Sequence, residues 1–469
     1  MAFDKAWVRG AVGIVGEDGV LLDSAAMEPY SRDEYALDDL RVMPRAVLKP
    51  RTEEEAARIV SLCASMRVPV TARGGGTGLS GGCIPPDGGI VLSLERLNRV
   101  VEADPDTATI TVEAGMPLSR LYEEVERMGL FFPPHPGDEG AFVGGVVATN
   151  AGGARAVKYG TIRRFVLGLR VITAAGRLID LGGKIIKSSS GYDLLDLMIG
   201  SEGTLGIVTR VTLALVPRPG SLVTLVAPFA NDSEAIRAVP AFLGVGIVPC
   251  AVEFVQHSAM RCAERLLGKE WPARSGDASL MIILDAKDEE GVLAEAERIS
   301  AILEQGGARD VLIADGREKQ AEILALRSAL YEALRPAMVE LFDISVPRSQ
   351  IVGHVERIHR LEQELGIRLP TYGHAADGNV HTHSMRRSLE DGVIGDEIPG
   401  WRDAHEKVRA ALYEDAVSRG GVISGEHGIG LVKKAYLART LDPAVLDLMR
   451  AVKRAFDPDG ILNPGKILG

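Results

Sequence analysis

No two of the four cysteines, Cys63, Cys83, Cys250 and Cys262, are spaced as CxxC. That spacing excludes a zinc knuckle or an iron–sulfur cluster held by the chain's own thiolates, and the scatter predicts no disulfide. No apolar run approaches the ~18 residues that a membrane span needs. The opening "MAFDKAWVRGAVGIVGED" lacks the charged start and apolar core of a signal peptide. Cations are in deficit, with 53 Lys and Arg against 64 Asp and Glu and a net charge of −11, so no basic face is expected for a nucleic acid. These absences predict a soluble chain of a reducing, cytoplasmic compartment.

Glycine is abundant: 53 of 469 residues, about 11% against a usual ~7%. Much of the excess falls between residues 74 and 206. The length exceeds what one core holds and predicts two or three domains. "RTEEEAARIVSLCASMRV" (51–68) reads as a helix capped by Thr52, with an apolar stripe of Ala57, Ile59, Val60 and Cys63. A short strand "VPVTA" follows, and "GGIVLSLERLNRVVEADPDTATITVEAG" alternates as paired strands around a turn at Asp104 to Asp106. The Pro-rich "VPRPGS" (216–221) marks a domain boundary. Beyond it, strand-like runs ("SLVTLVAPF", "SLMIILDAK") alternate with long helices ("EEGVLAEAERISAILEQGG", "EKQAEILALRSALYEALRPAMVELF"). That pattern predicts an α+β domain with an antiparallel sheet.

"RGGGTGLSGG" (73–82) places a lone arginine and several glycines directly after a strand. Glycine lets consecutive N–H groups turn toward one anion, such as a pyrophosphate. The spacing is neither G-x-G-x-x-G before a helix nor a Walker loop, so neither a dinucleotide-type crossover nor a P-loop is indicated. A second feature is "YGHAADGNVHTH" (372–383), which holds three of the nine histidines. If 380–384 is a strand, His381 and His383 share a face, and His374 lies across the turn at Asp377 and Gly378. Two imidazoles and a carboxylate suit a divalent transition metal with positions left for substrate oxygens. Glu426 in "SGEHGIG" is the natural third ligand.

Together "ARGGGTGLSGG", "ATNAGG", "GSEGTLGI", "GHAADGNVH", "GEHGIG" and the closing "LNPGK" resemble the vanillyl-alcohol oxidase/p-cresol methylhydroxylase (PCMH) superfamily. Within it they are most similar to the group of D-lactate dehydrogenases, glycolate-oxidase D-subunits and D-2-hydroxyglutarate dehydrogenases. The resemblance implies an α+β chain with a two-part PCMH-type FAD-binding domain at 44–219, after an N-terminal segment 1–43. A cap domain with an antiparallel sheet, carrying substrate and metal, would span 220–424. A segment 425–469 would pack back on the FAD domain.

The resemblance also implies roles. Arg73, Gly74, Gly75, Gly76, Thr77 and Gly78, with Ser80 and Gly81, would cradle the pyrophosphate. Pro136, Gly137, Asp138, Gly144, Gly145, Ala148, Asn150, Gly152, Gly153 and Tyr159 would run along the flavin and its ribityl chain. Glu202, Gly206, Ile207 and Val208 would hold the adenine side, and Asn463 would reach in from the tail. Relatives that bind FAD covalently often carry histidine where this chain has Thr77, so a non-covalent flavin is expected. His135 and Asp138 depart from the relatives' pattern, and Ala376 replaces a glycine.

Carried over residue by residue, His374, His381 and Glu426 would bind one divalent metal ion (zinc, iron or manganese), and His427 would act as base. Arg327, with Tyr331 one turn on, would hold the substrate carboxylate, and Arg348 is a second candidate. His383 stands where the D-2-hydroxyglutarate enzymes have an asparagine. Leu341 stands where those enzymes have the lysine for the distal carboxylate. The expectation is an FAD- and metal-dependent dehydrogenase of a small D-2-hydroxy acid, D-lactate foremost. The alternatives are a D-2-hydroxyglutarate dehydrogenase, the flavin subunit of a larger glycolate- or lactate-oxidising or electron-bifurcating complex, or a non-catalytic flavoprotein. The electron acceptor stays open among quinone, cytochrome, electron-transferring flavoprotein and iron–sulfur subunit. A homodimer is one assembly among those open. Peripheral attachment to a membrane would require a partner.

Overall fold

The computed structural model describes residues 5–37 and 39–468. The chain forms two compact units: Met1–Gly152, Thr161–Arg218 and Glu426–Gly469 make one, and Gly153–Gly160 with Pro219–Gly425 make the other. The division at Arg218 lies inside "VPRPGS", where two prolines deny the backbone the N–H groups needed to continue a ladder. The segment Gly153–Gly160, inside the expected range 44–219, sits instead with the second unit. There Lys158 Nζ donates to Asp285 Oδ1, and the Tyr159 hydroxyl donates to Oδ2.

The first unit carries two larger sheets beside the two-stranded pair of Leu130–Phe131 with Val216–Pro217. One has the order Val20–Leu21, Val47–Leu48, Ile90–Ser93, Val70–Arg73; its last three strands are parallel. Helix Glu53–Ser65 carries the Thr52 cap, whose hydroxyl accepts from Glu55 N at 3.1 Å, and buries Ala56, Ala57, Ile59, Val60 and Cys63. The other sheet is antiparallel, in the order Val100–Asp104, Thr109–Glu113, Ile207–Ala214, Val166–Ile172, Leu178–Gly182. The returning tail joins the parallel sheet: Val70 N donates to Ile461 O and Asn463 N to Val70 O, each at 2.8 Å.

The second unit is built on a seven-stranded, wholly antiparallel sheet. Its order is Leu312–Ala314, Ser221–Phe229, Ala278–Ala286, Ala251–Gln256, Thr371–His374, Asn379–Met385, Met338–Ser345. Continuous apolar runs such as "SLVTLVAPF" suit strands buried on both faces. One edge corrects the sequence reading, in which 318–342 form a single long helix. The helix breaks into Arg317–Ser328 and Leu330–Leu334, and Met338–Ser345 is a strand. Pro336 is incompatible with a continuing helix, and "MVELFDIS" is short and buried enough to pair as an edge strand.

Cross-strand register fixes what this sheet presents. Leu341 lies opposite His383, Asp343 opposite His381, Tyr372 opposite His381, His374 opposite Asn379, and Glu253 opposite His374. Directly paired residues share a face, so the polar residues gather on one side. The alternate residues point the other way. Phe342 stacks on His405 at 5.8 Å and meets Tyr413 edge-on at 5.7 Å, both on helix Trp401–Ser418. The hairpin between Thr371–His374 and Asn379–Met385 needs Gly378: φ is +103°, and a Cβ there would lie 2.0 Å from Val346 O.

Candidate active site

In the first unit the strand Val70–Arg73 ends in the glycine loop. Among the described residues, no group accepts a hydrogen bond from the backbone N–H of residues 74–80. A run of unmatched donors beside glycines Gly74, Gly75, Gly76 and Gly78 is the cradle an anion requires. Arg73 shapes it from behind. Its guanidinium donates to Arg32 O at 2.6 Å and Pro29 O at 3.0 Å, and it touches Cys83 Sγ. That leaves no room for a side chain at Gly76, whose φ is +81° and whose Cβ would fall 2.0 Å from Arg73 Nη2.

Other residues expected at the cofactor divide into two kinds. Gly137 and Gly145 face open space, so a planar ring could approach their backbone; Gly74 packs beside Gly145. Asp138 accepts from Gly140 N at 2.7 Å and shapes its own turn, while His135 stacks on Tyr122 at 5.7 Å. Helix Val143–Thr149 carries Gly144 and Ala148 and ends at Asn150, which adopts φ +52°. Gly144 packs tightly on Ala114, Gly206 packs on Val171, and Ile207 and Val208 are buried in the antiparallel sheet. Gly153 and Tyr159 lie in the second unit.

Glu202 and Asn463 are structural ties. Glu202 accepts from Ile429 N at 2.7 Å and Gly430 N at 2.8 Å. Burial, the larger influence, raises its carboxyl pKa, against these two N–H donors. Asn463 Nδ2 donates to Gly82 O and Glu202 O, and its Oδ1 accepts from Thr71. Ser80 Oγ donates to the carbonyls of His427 and Gly428, while Gly81 N donates to Asp33 at 2.7 Å. "EHGIG" is therefore clamped to the glycine loop. His427 Nε2 stands 3.9 Å from Glu426 Oε1, and a Cβ on Gly152 would meet Glu426 Oε2 at 2.9 Å.

In the second unit the polar sheet face brings five expected residues together. His374 Nε2 and His381 Nε2 are 3.4 Å apart. Two nitrogens each at 2.0–2.1 Å from one tetrahedral ion stand about 3.3 Å apart, so this pair fits a shared metal. Arg327 comes from helix Arg317–Ser328 and lies over the Tyr372 ring at 4.6 Å. Tyr331 approaches His383 at 6.5 Å between ring centroids, and Tyr372 approaches it at 5.2 Å. Gly425, just before Glu426, donates its N–H to Asp343 O and leaves no space for a Cβ beside Asn379 Nδ2.

Three residues of this cluster are missing from the sequence reading. Glu253 accepts from both Arg327 and His374 Nδ1. Asp343 is 4.0 Å from His381 Nδ1 and accepts from Asn379 Nδ2 at 2.8 Å. Tyr372 fills the space between Arg327 and the histidines. Burial alone would raise the Glu253 carboxyl, but His374 and Arg327 outweigh it and bring it down to about 2. Its only sequence signal is one acid inside the apolar run "CAVEFV".

Residues 44–182 match the family described as an FAD binding domain, and residues 218–467 match the C-terminal domain of FAD linked oxidases. The chain belongs to the FAD-linked oxidase family. This FAD-linked oxidase is 42% identical over 443 residues to a protein named D-lactate dehydrogenase from Archaeoglobus fulgidus, covering 93% of this chain and 96% of that one. It is 38% identical over 455 residues to another of that name from Anaerostipes hadrus, covering 96% and 94%. Among solved structures it resembles substrate-bound p-cresol methylhydroxylase, with a TM-score of 0.77 at 17% identity, over 98% of this chain and 96% of that one. The expected PCMH-type fold and FAD as cofactor hold. Among the described residues, no helix is long and apolar enough to cross a membrane.

The crowding at Gly76 makes a test of the cradle. Gly76→Ala should lower FAD affinity at least tenfold, because it combines backbone strain of about 1–3 kcal/mol with displacement of Arg73. Flavin-to-protein absorbance ratios after dialysis measure this; full retention of flavin would remove the loop from the site.

Proposed function

We propose that this FAD-linked oxidase is a dehydrogenase of D-2-hydroxy acids, with D-lactate or a similar monocarboxylate preferred, and that it uses one divalent metal ion. The observation that carries the reading is the second unit's sheet face, where His374 and His381 converge beside Arg327. The close likeness to proteins named D-lactate dehydrogenase supports the substrate class.

Oxidising a 2-hydroxy acid removes a proton from the hydroxyl and a hydride from C2. Arg327 would hold the substrate carboxylate through two parallel hydrogen bonds, with Tyr331 and His383 bordering the same space. His427 would take the hydroxyl proton as general base, a contribution typically worth ~10² to 10⁴ in rate. FAD, when bound, supplies the acceptor for the hydride. A divalent ion held by His374, His381 and Glu426 would supply Lewis-acid charge that lowers the hydroxyl pKa; zinc, iron or manganese suits such ligands. The glycine loop 73–81 would hold the FAD pyrophosphate, the stretch from Pro136 to Asn150 would follow the flavin, and Glu202 and Asn463 would support the site through the ties described. The electrons then pass to a partner outside this chain: a quinone, cytochrome, electron-transferring flavoprotein or iron–sulfur subunit.

The choice of acid rests on Leu341. It pairs directly with His383 and is 9% exposed, a hydrocarbon where a dicarboxylate would need a cation. Burying an unpaired carboxylate costs several kcal/mol, and a penalty of only ~3 kcal/mol lowers kcat/KM more than a hundredfold. Steady-state assays with an acceptor dye should show D-lactate or D-2-hydroxybutyrate exceeding D-2-hydroxyglutarate at least tenfold, with L-enantiomers poor. Equal or greater kcat/KM for D-2-hydroxyglutarate would establish the alternative substrate. Anaerobic addition of substrate should also bleach the oxidised flavin, which separates a dehydrogenase from a non-catalytic flavoprotein.

Two further outcomes check the cofactors. His381→Ala should abolish turnover and metal uptake while FAD stays bound, and His427→Ala should lose rate with metal retained. Pure active protein without a stoichiometric divalent ion would sink the metal assignment. Threonine at position 77 has no ring nitrogen to bond the flavin, so acid precipitation should leave the yellow colour in the supernatant. Colour remaining in the pellet would instead mean a covalent link.

A further inference from the structure

Glu253 is fully buried in the second unit, 0% exposed in the middle of strand Ala251–Gln256. A carboxylate removed from water costs several kcal/mol unless its oxygens are matched. Here the two oxygens are divided between two partners. Oε1 accepts from His374 Nδ1, and Oε2 accepts from Arg327 Nε at 2.9 Å and from Nη2. Tyr372 closes the same group from the side, with the Arg327 guanidinium on its ring. An acid in this place must keep both contacts to stay buried.

The hydrogen bond at Nδ1 decides which nitrogen of His374 is left for other work. A ring that donates from Nδ1 keeps its lone pair on Nε2, the atom facing His381 Nε2 at 3.4 Å. We infer that Glu253 is a positioning residue: it sets the tautomer and rotation of His374 for metal binding and, through its other oxygen, aims Arg327. This rests on the metal reading above and extends it to a residue that touches neither ion nor substrate. Outer partners of this kind typically alter metal affinity about 10–100-fold. Because one carboxylate serves both groups, a loss at Glu253 is felt at the histidine and at the arginine together.

The test is competition of Zn²⁺ against a chromophoric chelator, on metal-stripped, FAD-loaded protein. Glu253→Gln, which keeps the shape but loses the charge, should raise the Zn²⁺ Kd about 10–100-fold, with the flavin-to-protein ratio unchanged. At saturating Zn²⁺ it should raise KM for the hydroxy acid at least tenfold while kcat changes less than threefold, because Arg327 is loosened and the reacting groups remain. A general packing defect would instead lower kcat and flavin content together. Glu253→Asp keeps the charge on a shorter stem and should give an intermediate Kd; it also serves if the glutamine variant does not fold. Wild-type protein that binds Zn²⁺, with both variants within twofold of it, overturns the role of Glu253 alone. Wild-type protein that takes up no Zn²⁺ overturns the metal reading and this inference with it.

Discussion

The candidate chemistry of the second unit depends on one register, in which Asp343 faces His381 and Leu341 faces His383. Side chains alternate along a strand, so a slip of one residue would turn Asp343 and Leu341 toward the helices and bring Glu340 and Phe342 to the polar face. The opposite face guards against that slip. Phe342 is wedged between His405 and Tyr413, and truncating a buried phenylalanine to alanine commonly costs about 3–5 kcal/mol. Apolar packing on one side of the sheet thus fixes the geometry of polar groups on the other.

The same sheet shows how charge is tolerated at low exposure. Glu253 is matched by Arg327 and His374, Asp343 by Asn379 and Ser424, and Glu340 by Tyr413 and His405. Each acid is held by at least one group from a different strand or helix, so each set of ties also pins two elements together. A buried ion pair is weak evidence for stability, but removing one partner is costly. The cluster is therefore rigid in composition: few of its members can be exchanged singly.

The sequence was most legible where function imposes a local pattern. The glycine run of 73–82 and the spacing of His374, His381 and His383 can be read without knowing any long-range contact, because each motif forms within one turn. Glu253 and Tyr372 could not be read this way. Glu253 lies in an apolar run, and Tyr372 opens the histidine motif as an ordinary aromatic; both acquire meaning only when strands more than a hundred residues apart are paired. The strand Met338–Ser345 was hidden for a related reason: a short apolar run with two acids satisfies helical and extended periodicity equally, and Pro336 alone separates them. Glu202 and Asn463 show a third kind of difficulty. Their side chains tie distant segments, Glu202 to Ile429 and Gly430 and Asn463 to Thr71, Gly82 and Glu202, and no local pattern announces such partners.

Those ties have a consequence for how the polypeptide is made. Val70 bonds to Ile461 and Asn463, and the loop at Ser80 is clasped by residues 427–432. A ribosome releases these partners roughly 350 to 390 residues apart. The second unit, drawn mainly from one continuous stretch, can close while synthesis proceeds. The nucleotide-binding half must wait, with its parallel strands exposed, until the final segment emerges. Vectorial synthesis thus favours completing the later-encoded unit first.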